Sequence, residues 1–115
     1  MPSDSMSSSG DGLPLLCQFS ELEEDEPMQV FLEGRAPLAV YLHEGEVFVT
    51  DDICTHGQAH LSEGYLEDGE IECPLHSGRF DIRTGQPTGQ PCTEAITAYR
   101  TVVDGDAVYL GAAVD

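Results

Sequence analysis

Two short clusters of potential metal ligands constrain this chain more than any other feature. Cys54-Thr55-His56 comes first, and Cys73-Pro74-Leu75-His76 follows after sixteen intervening residues. Two thiolates and two imidazoles on two loops make a metal site, and the mixed donor set narrows the metal. One Cys and one His from each loop suit a 2Fe–2S cluster in which one iron keeps two Cys and the other takes two His. Formal charge gives the reason. Two ferric irons, two sulfides and two thiolates sum to zero, because the imidazoles are neutral, so an added electron makes the site only singly negative. An all-thiolate cluster starts at minus two and accepts its electron against that charge. Exchanging two Cys for two His therefore raises the potential, to about −150 to +300 mV against about −400 mV for the plant type. Such ligation implies electron transfer rather than catalysis on a bound substrate. Zinc is the alternative for the same donors, since two Cys and two His can bind it tetrahedrally. Zinc modules, however, usually pair Cys-x-x-Cys with a His pair on a helix, and no helix is evident here.

The segments around the ligands read as short strands. Leu13 to Gln18, Met28 to Leu32, Pro37 to His43 and Val47 to Thr50 are apolar or β-branched runs. Glu33-Gly34-Arg35 and Glu44-Gly45-Glu46 are turns between them. Ser20 to Pro27 is an acidic, solvated stretch. Tyr65-Leu66 and Glu70-Ile71-Glu72 are joined through Asp68-Gly69, a strong hairpin signal, and Arg79 to Ile82 follows as another strand. Thr84 to Cys92, with Gly85, Pro87, Gly89 and Pro91, reads as loop. Ala95 to Val103 and Ala107 to Leu110 form a last hairpin around Asp104-Gly105-Asp106. Many short strands with closely spaced turns and no sustained helical period predict an all-β sandwich or barrel, with residues 52–84 inserted between two hairpin-rich halves. Within the insert, Pro74 fixes its own φ and biases Cys73 towards extended backbone, stiffening the second loop. Gly57 and Gly78 allow close backbone approach to a cluster.

A chain of 115 residues has room for one domain and one core. Twenty-two acidic residues against four basic ones give a net charge of −18. Nucleic acid and anionic membrane surfaces are poor partners for such a protein. A protein with a basic patch would be drawn in quickly and weakly, with strong salt dependence. No stretch approaches the roughly 20 apolar residues that span a bilayer. Residues 1–12 have neither a basic start nor an apolar run, so they read as a flexible tail and not a secretory signal. The expected location is the cytoplasm, with Cys17 and Cys92 as separate reduced thiols.

The ligand loops carry a specific resemblance. Cys54-Thr55-His56-Gly57 and Cys73-Pro74-Leu75-His76-Ser77-Gly78-Arg79-Phe80-Asp81 resemble the two cluster-binding loops of Rieske-type ferredoxins. The wider run through Leu61-Ser62-Glu63-Gly64-Tyr65-Leu66 is similar to the ferredoxin components of bacterial aromatic-ring-hydroxylating dioxygenase systems. The likeness is specific over residues 50–86, looser over 13–113, and absent from the tail. It implies a Rieske fold over residues 13–113, an antiparallel β-sandwich or barrel base with a small inserted cluster-binding subdomain at about residues 52–84. It implies one Rieske-type 2Fe–2S cluster, with Cys54 and Cys73 on the inner iron and His56 and His76 on the outer iron near solvent. It implies a monomeric carrier in aromatic hydrocarbon catabolism. The partners would be a flavin-dependent, NAD(P)H-oxidising ferredoxin reductase and a terminal Rieske non-haem iron oxygenase.

Respiratory Rieske proteins carry an extra Cys in each loop, forming a disulfide, and here those places hold Ala59 and Leu75. Those proteins also place Ser and Tyr hydroxyls on the cluster sulfurs, where this chain has Gly78 and Phe80. Fewer donors stabilise the reduced cluster less, which predicts a potential near the low end of the Rieske range. The chain is too short for a second domain with a two-His-one-carboxylate iron site, and it has no Gly-rich dinucleotide fingerprint. It therefore reads as a carrier and not an enzyme. Other readings are the small Rieske subunit of an assimilatory nitrite reductase, a monooxygenase ferredoxin, or a zinc-stapled interaction module. His43 and His60 lie outside the complete ligand set, with His60 placed near the docking tip. Arg79 either pairs locally with acidic neighbours or has a plain surface role. The Pro87–Pro91 segment either covers one side of the cluster or forms an ordinary turn.

Overall fold

The computed structural model describes residues 13–54, 59–74, 78–89 and 94–114. His56, Gly57, His76, Pro91 and Cys92 lie outside the described residues. Ten strands are present among those described: β1 (Leu15–Gln18), β2 (Met28–Val30), β3 (Leu38–His43), β4 (Glu46–Asp51), β5 (Tyr65–Glu67), β6 (Glu70–Glu72), β7 (Arg79–Asp81), β8 (Pro87–Gly89), β9 (Ala98–Asp104) and β10 (Ala107–Ala113). They form two antiparallel sheets. The larger has the order β1-β10-β9-β4-β3-β2 and curls into a nearly closed barrel; the smaller has the order β5-β6-β7-β8. The expected all-β base with an inserted small sheet is what the chain adopts.

Turn chemistry sets the register of three hairpins. Glu44 and Gly45 take left-handed φ values of 53° and 79°, and Asp68 and Gly69 take 54° and 78°. Two successive left-handed residues match the strand twist, so each two-residue loop closes tightly. His43 then pairs with Glu46, and Glu67 with Glu70. Gly105 supplies the same freedom between Asp104 and Ala107.

β3 explains how the base becomes the floor of the insert. Every residue from Leu38 to His43 is buried. Side chains alternate across a strand. Leu38, Val40 and Leu42 fill the barrel core with Leu16, Val49 and Val108. Ala39 and Tyr41 face the other way, into a second core with Cys54, Leu61, Ile71, Cys73 and Phe80. Thr50 Oγ1 donates to the Asp51 carbonyl, so the buried Tyr41 hydroxyl donates to Thr50 Oγ1 at 2.9 Å.

Three readings of the sequence change. The 84–92 segment is not all loop. Pro87–Gly89 is a strand, with Phe80 opposite Pro87 and Arg79 opposite Gly89. Proline is tolerated there because β8 is an edge strand and Pro87 is its first residue. β2 ends at Val30 instead of Leu32, and β9 begins at Ala98 instead of Ala95. The acidic 20–27 stretch is partly ordered, following a 3₁₀ turn at Phe19–Glu21. No described helix is long and apolar enough to cross a membrane. Cys17 is a free, buried thiol, and burial together with Glu21 and Asp106 pushes its pKa up to about 11.

Gly85 ties the small sheet to the start of β9. Its φ is +80°, its N–H donates to the Asp81 carbonyl and its own carbonyl accepts from Ile96 N–H. A Cβ here would lie 2.0 Å from the Ile96 carbonyl oxygen. Gly85→Ala is expected to lose at least about 2 kcal/mol, from the left-handed backbone and the clash together, read as a fall in the urea midpoint.

His43, at the end of β3, is buried with Nδ1 2.8 Å from Asp25 Oδ1. The Asp25 hydrogen bond raises its pKa above the usual imidazole value, against an opposing effect of burial. Glu44 and Arg83 are the other charged groups acting on it. The folded pKa exceeds the unfolded one, so this contribution to stability is complete below about pH 6.5 and is lost as pH rises through the folded value. His43→Gln should flatten the fall in thermal midpoint between about pH 6 and about pH 8. An unaltered slope would show that the pair contributes nothing.

Candidate metal centre

Each Cys begins a loop inserted into an antiparallel pair, and the same hydrogen bond closes both loops. β4 runs on through Asp52 and Ile53 to Cys54, and the chain returns where His60 pairs with Ile53. Cys54 N–H donates to the Ala59 carbonyl at 2.9 Å. β6 runs into Cys73, and β7 returns with Arg79 opposite Glu72. Cys73 N–H donates to the Gly78 carbonyl at 2.7 Å. The Cys amide thus meets the carbonyl five residues later in both loops. Within that frame His56 follows Cys54 by two residues and His76 follows Cys73 by three.

Both Cys are 1% exposed and share one apolar core. Neither forms a disulfide with another described residue. Two buried sulfur donors, one from each loop, suit the inner, thiolate-held iron of a 2Fe–2S cluster. Phe80, immediately beyond the second loop, is wholly buried in the same core and brings no hydroxyl.

A carboxylate that the sequence does not mark holds the first loop in place. Asp52 is 0% exposed and sits two residues before Cys54. Its Oδ2 accepts from Gln29 Nε2 at 2.7 Å and from His60 Nδ1–H at 2.7 Å. Its Oδ1 accepts from Ser62 N–H at 2.7 Å, and its carbonyl from Leu61 N–H at 2.6 Å. Burial disfavours the ionised carboxyl, but the bonds from Gln29, Ser62 and His60 outweigh it and hold its pKa below the ordinary value. The network joins β2, β4 and the return limb of the loop. His60 is therefore an anchored residue beside the loop, with half-buried surroundings. Nothing in the local residue types signals this: the partners are 23 and 8 residues from Asp52.

Arg79 takes the local-pairing option. Its Nη2 lies 3.0 Å from Glu72 Oε1 and 3.4 Å from Glu67 Oε1, and its Nη1 3.6 Å from Glu70 Oε1. One guanidinium thus laces the exposed face of β5, β6 and β7. Such exposed pairs add little stability individually. Their clearer consequence is that three carboxylates beside the second loop share one cation.

A family model described as "Rieske [2Fe-2S] domain" matches residues 13–100. The chain is 46% identical over 90 residues to the "Naphthalene 1,2-dioxygenase system, ferredoxin component" of Pseudomonas aeruginosa, covering 78% of this chain and 86% of that one. Its fold is similar to the ferredoxin of Sphingomonas yanoikuyae B1, at a TM-score of 0.84 and 42% identity over 87% of this chain and 98% of that one. It is also similar to a chain in the complex of reduced oxygenase and oxidised ferredoxin of carbazole 1,9a-dioxygenase, at a TM-score of 0.82 and 37% identity over 88% and 95% of the two chains. The matched family, the two equivalent loops and the buried sulfur donors agree, and the chain belongs to the Rieske [2Fe-2S] domain family.

Proposed function

We propose that the protein is a one-electron carrier that serves the terminal oxygenase of an aromatic-ring-hydroxylating dioxygenase system. One Rieske 2Fe–2S cluster would supply the redox chemistry. In this reading Cys54 and Cys73 hold the inner iron and His56 and His76 the outer one. A single observation carries it: two loops, closed by the same backbone hydrogen bond, bring two buried Cys into one core. The relatives support the choice of system. Several are named as ferredoxin components of dioxygenase systems, and one similar ferredoxin was solved in complex with its oxygenase. The electron donor is proposed as a flavin-dependent ferredoxin reductase. In this reading its role is to receive one electron and pass it on.

Reconstitution tests this reading. The holo protein, mixed with a flavin reductase and the oxygenase of a related dioxygenase system, should support substrate-dependent NADH consumption. A holo protein that reduces no aromatic-ring oxygenase, yet serves a nitrite reductase, would move it to that system. The midpoint potential should fall near the low end of the Rieske range, because Gly78 and Phe80 offer no hydroxyls to the sulfurs. A strongly positive midpoint in a redox titration would contradict that account of the loop.

A further inference from the structure

The acidic segment before β2 and the outer edge of β5 face each other across a cleft of about 380 Å³. Asp25, Glu26 and Pro27 form one wall, and Gly64, Tyr65 and Leu66 the other. A second hollow, lined by Glu21, Glu23 and Met28, shares Glu26 and Pro27 with the first, so the two make one groove. Among the described residues, no basic side chain lines either hollow. The Glu23 and Glu26 side chains have no ion-pair or hydrogen-bond partner among the described residues, whereas Asp25 is bonded to His43. Tyr65 is 71% exposed, and β5 is an edge strand of the small sheet.

We propose that this groove receives an extended, arginine- or lysine-bearing segment of a redox partner protein. Charge selects the occupant. Residues 1–12 carry Asp4 and Asp11 and no Lys or Arg, and a second copy carries a net charge of −18, so the groove repels both. A guanidinium can bond the uncommitted carboxylates of Glu23 and Glu26 while its flat face meets the Tyr65 ring. The open edge of β5 can pair with the backbone of the same segment. Gly64 keeps β5 close to β6, since a Cβ there would lie 1.9 Å from the Glu72 carbonyl oxygen. The groove's second wall follows directly from the return limb of the first ligand loop, through Leu61–Glu63, so a bound segment sits beside the cluster-bearing part. The proposal rests on the carrier reading only for the identity of the segment's owner.

The test titrates ¹⁵N-labelled holo protein with acetyl-Arg-Arg-amide at low ionic strength. Saturable shifts are expected at the amides of Glu23, Glu26 and Met28. Glu23→Gln/Glu26→Gln should weaken the peptide by about five-fold, and Tyr65→Ala by a smaller factor. Glu33→Gln/Glu46→Gln, which removes the same charge elsewhere, should change the affinity by less than about two-fold. Shifts spread evenly over the acidic surface, or equal weakening by both charge pairs, would overturn the groove and leave the carrier reading intact. No NADH consumption in reconstitution, with the peptide still confined to the groove, would remove the carrier reading and leave the groove.

Discussion

Replacing His56 or His76 by Cys should lower the midpoint potential by on the order of 100 mV or more wherever a cluster assembles. The reason is formal charge. A neutral imidazole gives way to a thiolate, so both redox states become one unit more negative and the added electron meets a charged site. Protein-film voltammetry reads the shift, and the visible spectrum reports the changed donor set. His60→Ala is the control. His60 is bonded to Asp52 beside the first loop, so its loss should leave the spectrum that of a two-His cluster. An unchanged midpoint and spectrum in His56→Cys or His76→Cys would remove that residue from the ligand set.

The second large effect is expected at Asp52. Asp52→Ala strips acceptors from Gln29, His60 and the Ser62 N–H at once. Leaving a buried donor unsatisfied costs about 1–3 kcal/mol, and these three donors are partly buried, so each costs the lower part of that range. A loss of about 3 kcal/mol in unfolding free energy is therefore expected, with faster release of iron to a chelator. Asp52→Asn keeps the shape and part of the bonding, so it should fall between the two. If Asp52→Ala retains wild-type stability and iron release, the network is not what holds the first loop.

The contrast between these two predictions shows what a sequence of this kind makes legible. The candidate ligands stand out because their chemistry is local: a Cys and a His two or three residues apart sit on one short segment. The hairpins were legible for the same reason, since Glu44-Gly45 and Asp68-Gly69 carry their turn geometry in their own residue types. β3 was legible as an unbroken apolar run because it is buried on both faces. Asp52 was not, because its meaning lies in partners brought from β2 and from beyond the loop. β8 was missed because its Pro and Gly residues suppress any strand signal, and only pairing with β7 makes it a strand. The role of Gly85 likewise depends on the Ile96 carbonyl, eleven residues away, which local turn chemistry does not reveal. The positions of His56 and His76 belong to the part of the site outside the described residues, so their assignment still rests on their spacing and chemistry.

The most direct test is metal analysis joined to low-temperature EPR on anaerobically purified protein. Coloured protein with iron and acid-labile sulfide in equal amounts, giving an EPR signal only after dithionite, is the result expected of two Cys and two His sharing a 2Fe–2S cluster. Colourless protein holding zinc, and silent after reduction, would contradict it.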